Sequence, residues 1–239
     1  AYSSVAHMGF VMLGVFAATQ SGVEGALLQM INHGVSSGAL FLLVGVIYDR
    51  RHTRMVREFG GLAKVMPVYA AVFILITMSS IGVPGTNGFV GEFMVIMGTF
   101  ASNHLGAFSH LHGGLAAAGV ILAAVYMLSV VQKMFFGPLT NEKNANLSDM
   151  NVRESVAMAP LIALVFLIGF FPSLFLNRMS DSVTATLDRY IEGRIAWSQG
   201  AGAEGASLRE RRGGPLETGY PLPPSSTRAV AAMDGKEAH

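Results

Sequence analysis

The chain has 239 residues, 51% of them hydrophobic and 13% charged, with a formal net charge of +1 and no cysteine. Soluble domains carry about 25% charged residues, so this composition excludes an ordinary soluble enzyme and points to an all-α, polytopic membrane protein. The missing cysteine excludes disulfides, thiolate nucleophiles and iron–sulfur ligation within the chain, and the balanced charge implies no nucleic-acid partner.

Residue 1 is alanine, and an apolar segment begins at Ser4 without a basic n-region or a cleavage site. That pattern is not a signal peptide; it reads as the back part of a longer protein. The first apolar segment covers residues 4–19, SVAHMGFVMLGVFAAT, and the second covers 24–48. A basic loop, DRRHTRMVREFGGLAK, occupies 49–64. A long apolar region at 66–103 is interrupted by IGVPGTNGFVGEF at 81–93. The fourth segment is 113–136, followed by a polar loop at 137–154 and a fifth segment at 155–176. These lengths suit helices crossing a bilayer, which need about 20 residues each. Residues 1–176 therefore form the membrane part. Residues 177–197 carry Met179, Val183, Leu187, Tyr190 and Ile191 at helical spacing, as an amphipathic helix at the membrane surface does. The 198–239 tail is rich in Gly, Ser, Pro, Arg and Glu without apolar periodicity, a composition that favours disorder.

The loop at 49–64 carries Arg50, Arg51, Arg54, Arg57 and Lys64, whereas 104–112 has three histidines and no Lys or Arg. The positive-inside rule places 49–64 in the cytoplasm. Alternation then puts 104–112 and the tail outside, and 137–154 inside.

The 66–103 region contains no charge except Glu92. It reads either as two spans joined by a hairpin or as one span broken near its middle. Two spans are too short at 1.5 Å rise per residue. Pro84 removes a backbone donor, and Gly82, Gly85 and Gly88 free the chain to leave helical geometry. These points favour a single discontinuous span, giving about five transmembrane helices in all. Glu92 then sits in the opening turns of the second half-helix, where the electropositive helix end and the low-dielectric surroundings act on its carboxyl in opposite senses. An acid kept within the membrane marks a functional site by default, with a structural acid as the plainer alternative.

Gln29, His33, Ser36 and Ser37 share one face of the second segment. That seam is either a proton path, since histidine titrates near neutral pH, or an inter-helix hydrogen-bond seam. Gly34 and Gly38 form a small-xxx-small pair suited to close helix packing. His7 lies near the start of the first segment, where facing the headgroups is the plainer role. Lys133, in QKMFFGP, has a stem long enough to snorkel to the interface. His104, His110 and His112 cluster in a loop, but their spacing is not that of a common zinc motif.

Together AYSSVAHMGF (1–10), QMINHGVSSGALFLLVG (29–45), DRRHTR (49–54), FGGLAKVMP (59–67) and SSIGVPGTNGFVGEF (79–93) resemble one family. It is that of the antiporter-like membrane subunits of respiratory complex I, NADH-quinone oxidoreductase, which includes subunit M, or chain 4. The resemblance covers residues 1–176 and implies the second of two inverted five-helix repeats plus the last helix. It implies that Glu92 is the proton-exchanging residue of the broken helix and that His33 and His7 line the path to it. Lys133 is carried as a further candidate. The resemblance also implies proton pumping coupled to NADH:quinone electron transfer in partner subunits of the membrane complex, within the bacterial cytoplasmic membrane. NAD, FMN, iron–sulfur clusters and quinone would reside in those partners, with no cofactor here. A Na⁺/H⁺ antiporter subunit, a membrane-bound hydrogenase subunit and a non-translocating scaffold are the alternatives.

Overall fold

The computed structural model describes residues 2–139 and 141–212, with side chains as far as Ser198. It has two units, residues 1–190 and the residues from Ile191 onward. Every regular element among the described residues is helical: α1 Tyr2–Ala17, α2 Gln20–Arg51, α3 Pro67–Ser80, α4 Asn87–Phe100, α5 Ser109–Phe135, α6 Val152–Phe170 and α7 Ser173–Arg212. Helices α2, α5 (with the 3-10 turn before it) and α6 are each long and apolar enough to cross a membrane, while α1 and α3 are shorter apolar helices. The protein is a multi-pass membrane protein.

The ends of these helices follow from local chemistry. Thr19 accepts a hydrogen bond from the Gly22 amide at 3.1 Å and so caps the start of α2. Asn151 and Glu154 form a capping box at the start of α6. Helix α3 starts with Pro67, and the next two amides, of Val68 and Tyr69, donate to the Asp149 carboxylate at 2.8 and 3.0 Å. Its cap is therefore supplied by a distant loop. Helix α3 ends at Ser80, and Gly82 just beyond its cap has φ +73°. There the Val83 amide donates to Met78 O at 3.1 Å and the Gly82 amide to Ser79 O at 3.3 Å. These two bonds make a Schellman stop, and Pro84 follows as a residue that cannot continue the helix.

The register along α2 decides between the two readings of 66–103. The Tyr69 hydroxyl donates to Leu43 O at 3.0 Å, and the hydroxyls of Ser79 and Ser36 lie 3.0 Å apart. Asn32 Nδ2 donates to Asn87 O at 2.7 Å, and the Ser21 hydroxyl donates to Met94 O at 3.2 Å. Positions rise through α3 and α4 as they fall along α2. The two half-helices thus run end to end, antiparallel to α2, and form one discontinuous span.

The loops agree with that topology. At one end of the bundle Arg50 holds both Glu154 carboxylate oxygens, at 2.9 and 2.8 Å, and donates to the carbonyls of Ser148 and Asp149. The loops 49–64 and 137–154 therefore meet. At the other end the Ser102 hydroxyl donates to Ala17 O at 2.6 Å and the Thr19 hydroxyl to Gly98 O at 3.0 Å. The 104–112 loop begins there, opposite the basic loop.

Packing falls into two groups. Around Tyr69, Phe73 and Phe135, apolar residues of α2, α3, α5 and α6 form the larger core. Val11, Ala26 and Val95 form a smaller one where α1, α2 and α4 cross. Lipid tails are as apolar as leucine, so close van der Waals contact between backbones carries this second crossing. A Cβ added at Gly25 would lie 2.8 Å from the Val95 amide nitrogen, and one at Gly22 would lie 2.9 Å from Gly14 O. The close approach uses these glycines and not the Gly34–Gly38 pair, which meets nothing within 4 Å. The reason is rotational: Asn32 and Ser36 face α4, and Gly34 and Gly38 lie on another side of α2.

Helix α6 stops at Phe170 where Phe171 and Pro172 interrupt it, beside the Gly85 carbonyl that Gly169 packs against. Helix α7 resumes the path, and the Gln20 side chain donates to Ser180 O at 3.3 Å. The fifth segment is thus α6 together with the beginning of α7. Val183 of α7 is buried, and Tyr190 and Ile191 are exposed. The helix continues to Arg212, into the segment whose composition favours disorder. Residues 213–239 lie outside the described residues.

Candidate functional site

Glu92 is the sixth residue of α4 and is 4% exposed. It lies beyond the first turn, where the influence of free helix amides fades. The amide end of the half-helix therefore does not account for its carboxylate. Its contacts come from α1 and α2 instead. Glu92 Oε1 is 3.2 Å from His7 Nδ1 and accepts from Gln29 Nε2 at 3.3 Å. Gln29 Nε2 is also 3.2 Å from His7 Nδ1, so the three side chains close a triangle. Gly82, with its positive φ, leaves room for the other carboxylate oxygen: an added Cβ there would lie 2.6 Å from Glu92 Oε2.

His7 is buried in the middle of α1 and faces the cluster. Its second ring nitrogen, Nε2, lies 3.4 Å from the Ser80 hydroxyl at the end of α3. The His33 ring lies 5.4 Å from the His7 ring, centroid to centroid. His33 in turn meets the Ser37 hydroxyl at 3.0 Å. Sequence reasoning selected His7, His33 and Glu92 separately, and the fold brings all three together. Lys133 is not among them. It is exposed in the last turn of α5, where snorkelling accounts for it.

The residues that sequence reasoning missed are Asn32, Asn87, Ser79 and Ser80. Asn32 Nδ2 donates to Asn87 O, and Asn87 Nδ2 returns a bond to Asn32 O at 3.3 Å. The Ser79 hydroxyl donates to Asn87 Oδ1 at 2.5 Å. This clamp ties both sides of the break to α2 and supplies polar partners where helical bonds stop. A signal was present: Asn32 is three residues after Gln29 and four before Ser36, on the same face.

Four cavities lie at or next to the cluster, among them one of about 240 Å³ lined by Gly82, Phe89, Glu92 and Phe93. A polar one of about 10 Å³ lies among His7, Gln29, Asn32, His33, Ser36 and Ser80, enough for a single water. A cleft of about 210 Å³, lined by Ser3, Ser4, Ser37 and six apolar residues, lies beside Ser37, whose hydroxyl meets His33. A largely apolar cavity of about 310 Å³ lies on the far side of His7 and Glu92, against Leu115 and Tyr126 of α5, with His112 at its wall. Glu92 thus borders two largely apolar cavities, and His7 also borders the small polar one.

Of the three histidines at 104–112, His110 and His112 lie in the first turn of α5 and only His104 is in the loop, and the three do not converge. His110 packs on Phe100 and His104 on Tyr190, and His112 Nδ1 lies 2.7 Å from Phe108 O. No metal-binding group of His, Cys, Asp and Glu occurs among the described residues.

Residues 1–116 match the family described as NADH:quinone oxidoreductase/Mrp antiporter, TM. NADH-quinone oxidoreductase subunit M of Rhodobacter capsulatus is 48% identical over 190 residues, covering 80% of this chain and 36% of that protein. This chain therefore spans little more than a third of the length of that relative. Respiratory complex I from Thermus thermophilus contains a chain with 31% identity and TM-score 0.67, covering 78% of this chain and 38% of that one. The Mrp complex from Dietzia sp. matches at TM-score 0.63 and 22% identity, over 78% of this chain and 42% of that one, a likeness of fold. Residues 1–116 thus carry the match to the NADH:quinone oxidoreductase/Mrp antiporter transmembrane family, and the wider chain is similar to part of subunit M.

Proposed function

We propose that this chain is part of a proton-translocating membrane-arm subunit of an NADH-quinone oxidoreductase, and that residues 1–176 supply one of its half-channels. The observation that carries the reading is Glu92, a buried carboxyl in the broken span, in contact with a buried histidine. A charge that deep in a membrane is costly to keep, and functional pathways are where such groups occur.

The route runs from the cleft of Ser3, Ser4 and Ser37 to His33, across the small polar cavity to His7, and on to Glu92. Each step joins groups that bind and release protons or that orient a water between them. The chain carries out no redox chemistry. Electron transfer from NADH through FMN and iron–sulfur clusters to quinone belongs to partner subunits, whose changes alter proton binding here. Its partners are the other membrane-arm subunits and the bilayer, in the bacterial cytoplasmic membrane, and pumping is outward. A Na⁺/H⁺ antiporter subunit or a membrane-bound hydrogenase subunit would use the same fold. The 48% identity with a subunit M sequence supports the oxidoreductase reading.

The test is Glu92→Gln in the full-length subunit within the assembled complex, in sealed membrane vesicles. NADH-driven proton pumping should fall by at least about ten-fold, while NADH oxidation by an artificial electron acceptor is retained. Native pumping by a correctly assembled variant would remove Glu92 from the proton path.

A further inference from the structure

The triangle of His7, Gln29 and Glu92 contains one group that the proton route does not use. Gln29 is 1% exposed, and its amide nitrogen faces both the carboxylate and the imidazole. Its amide oxygen is buried without a hydrogen-bond partner. That oxygen sits against Gly91, where an added Cβ would collide with it and would lie 2.9 Å from Asn32 Nδ2.

A buried amide oxygen left unpaired is unfavourable, so something must hold the amide this way round. Two N–H groups facing a carboxylate and an unprotonated Nδ1 do so, because both partners are then acceptors. A proton arriving on Nδ1, or on the carboxyl, turns one of those acceptors into a donor. The nitrogen end then faces a donor, and the oxygen end fits better. The terminal torsion of glutamine is broad, and Gly91 leaves space for either end of the amide.

We propose that Gln29 is a positioning residue for proton exchange between His7 and Glu92, its carboxamide turning by half a revolution according to whether the pair holds a proton. This rests on the proton-exchange reading of Glu92. In the step itself the His7 Nδ1–H bond breaks and a Glu92 O–H bond forms; imidazolium becomes imidazole and carboxylate becomes carboxylic acid. Gln29 gains and loses no proton. With its nitrogen end inward it stabilises the empty pair, and with its oxygen end inward it stabilises the loaded one.

Other titratable groups near this triangle are few. His33 contributes from α2, and His112 and Tyr126 of α5 line the cavity beyond Glu92. Helix α3 presents the hydroxyls of Ser79 and Ser80 there. The polarity of the triangle is therefore set mainly by its own three members.

The test compares Gln29→Met, Gly91→Ala and Glu92→Gln in the full-length subunit of the assembled complex, with proton pumping followed against pH. Methionine has similar length and neither donates nor accepts a strong hydrogen bond. Losing one charge-assisted bond predicts a shift of about one pH unit in the midpoint of pumping activity. Gly91→Ala places a methyl against the Gln29 amide oxygen and Asn32 Nδ2, which displaces the amide, and should shift the midpoint in the same direction. A purely structural role would lower the amount of assembled complex and leave the midpoint in place. Gln29→Met that assembles with a native pH profile overturns the proposal. If Gln29→Met does not assemble, the Gly91→Ala profile decides in the same way. Native pumping by Glu92→Gln would instead overturn the proton-exchange reading beneath it.

Discussion

Glu92, His7 and His33 acquire their properties from one another. Gln29 and His7 supply the partners that a carboxylate needs inside a membrane, and the Ser80 hydroxyl fixes the opposite edge of the imidazole. His7→Asn keeps a polar side chain in reach of Gln29 but cannot carry a proton. The assembled complex should then pump far more slowly at unchanged NADH oxidation by an artificial acceptor; native pumping would place His7 outside the path. The acid was legible in the sequence because it is the sole charge in 38 residues of apolar chain, 66–103. His7 was less legible, since its place near a segment end also suits a headgroup contact. Only the crossing of α1 over α2 and α4 turns it inward.

The broken span is built from a stop and a clamp. The Schellman stop at Gly82 ends α3, and Asn32, Ser36, Ser79 and Asn87 supply hydrogen bonds through the gap. Asn87→Leu deletes the reciprocal bond to Asn32 and the acceptor of the Ser79 hydroxyl. It should cost about 1–3 kcal/mol, read as a lower thermal midpoint of the detergent-solubilised complex. An unchanged midpoint would show that the clamp contributes nothing. The break itself was legible from Pro84 and its glycines, because proline and positive-φ glycine act on the local backbone. The clamp was not, because a hydrogen bond between Asn32 and Asn87 depends on which faces of two distant helices meet. The same limit explains Gly34 and Gly38: a sequence spacing cannot say which side of α2 the neighbour occupies.

Across the whole molecule, the basic loop and the 137–154 loop sit at one end and the histidine loop at the other, tied respectively by Arg50–Glu154 and by Ser102–Ala17. With the 49–64 loop cytoplasmic, the route from Ser37 through His33 starts on the cytoplasmic side of Glu92. The chain has no cysteine, so single substitutions report this directly. Arg57→Cys should react with a membrane-impermeant maleimide only after the cells are permeabilised, and His110→Cys should react in intact cells. The reverse pattern would invert the orientation.

The central claim is that the Glu92 carboxyl gains and loses a proton during turnover. Infrared difference spectroscopy of the assembled complex, started by NADH, measures this most directly. A carboxylic C=O band that appears during turnover, shifts in D₂O and is missing in Glu92→Gln is the predicted result. A difference spectrum that is the same in the native complex and in Glu92→Gln would contradict the account.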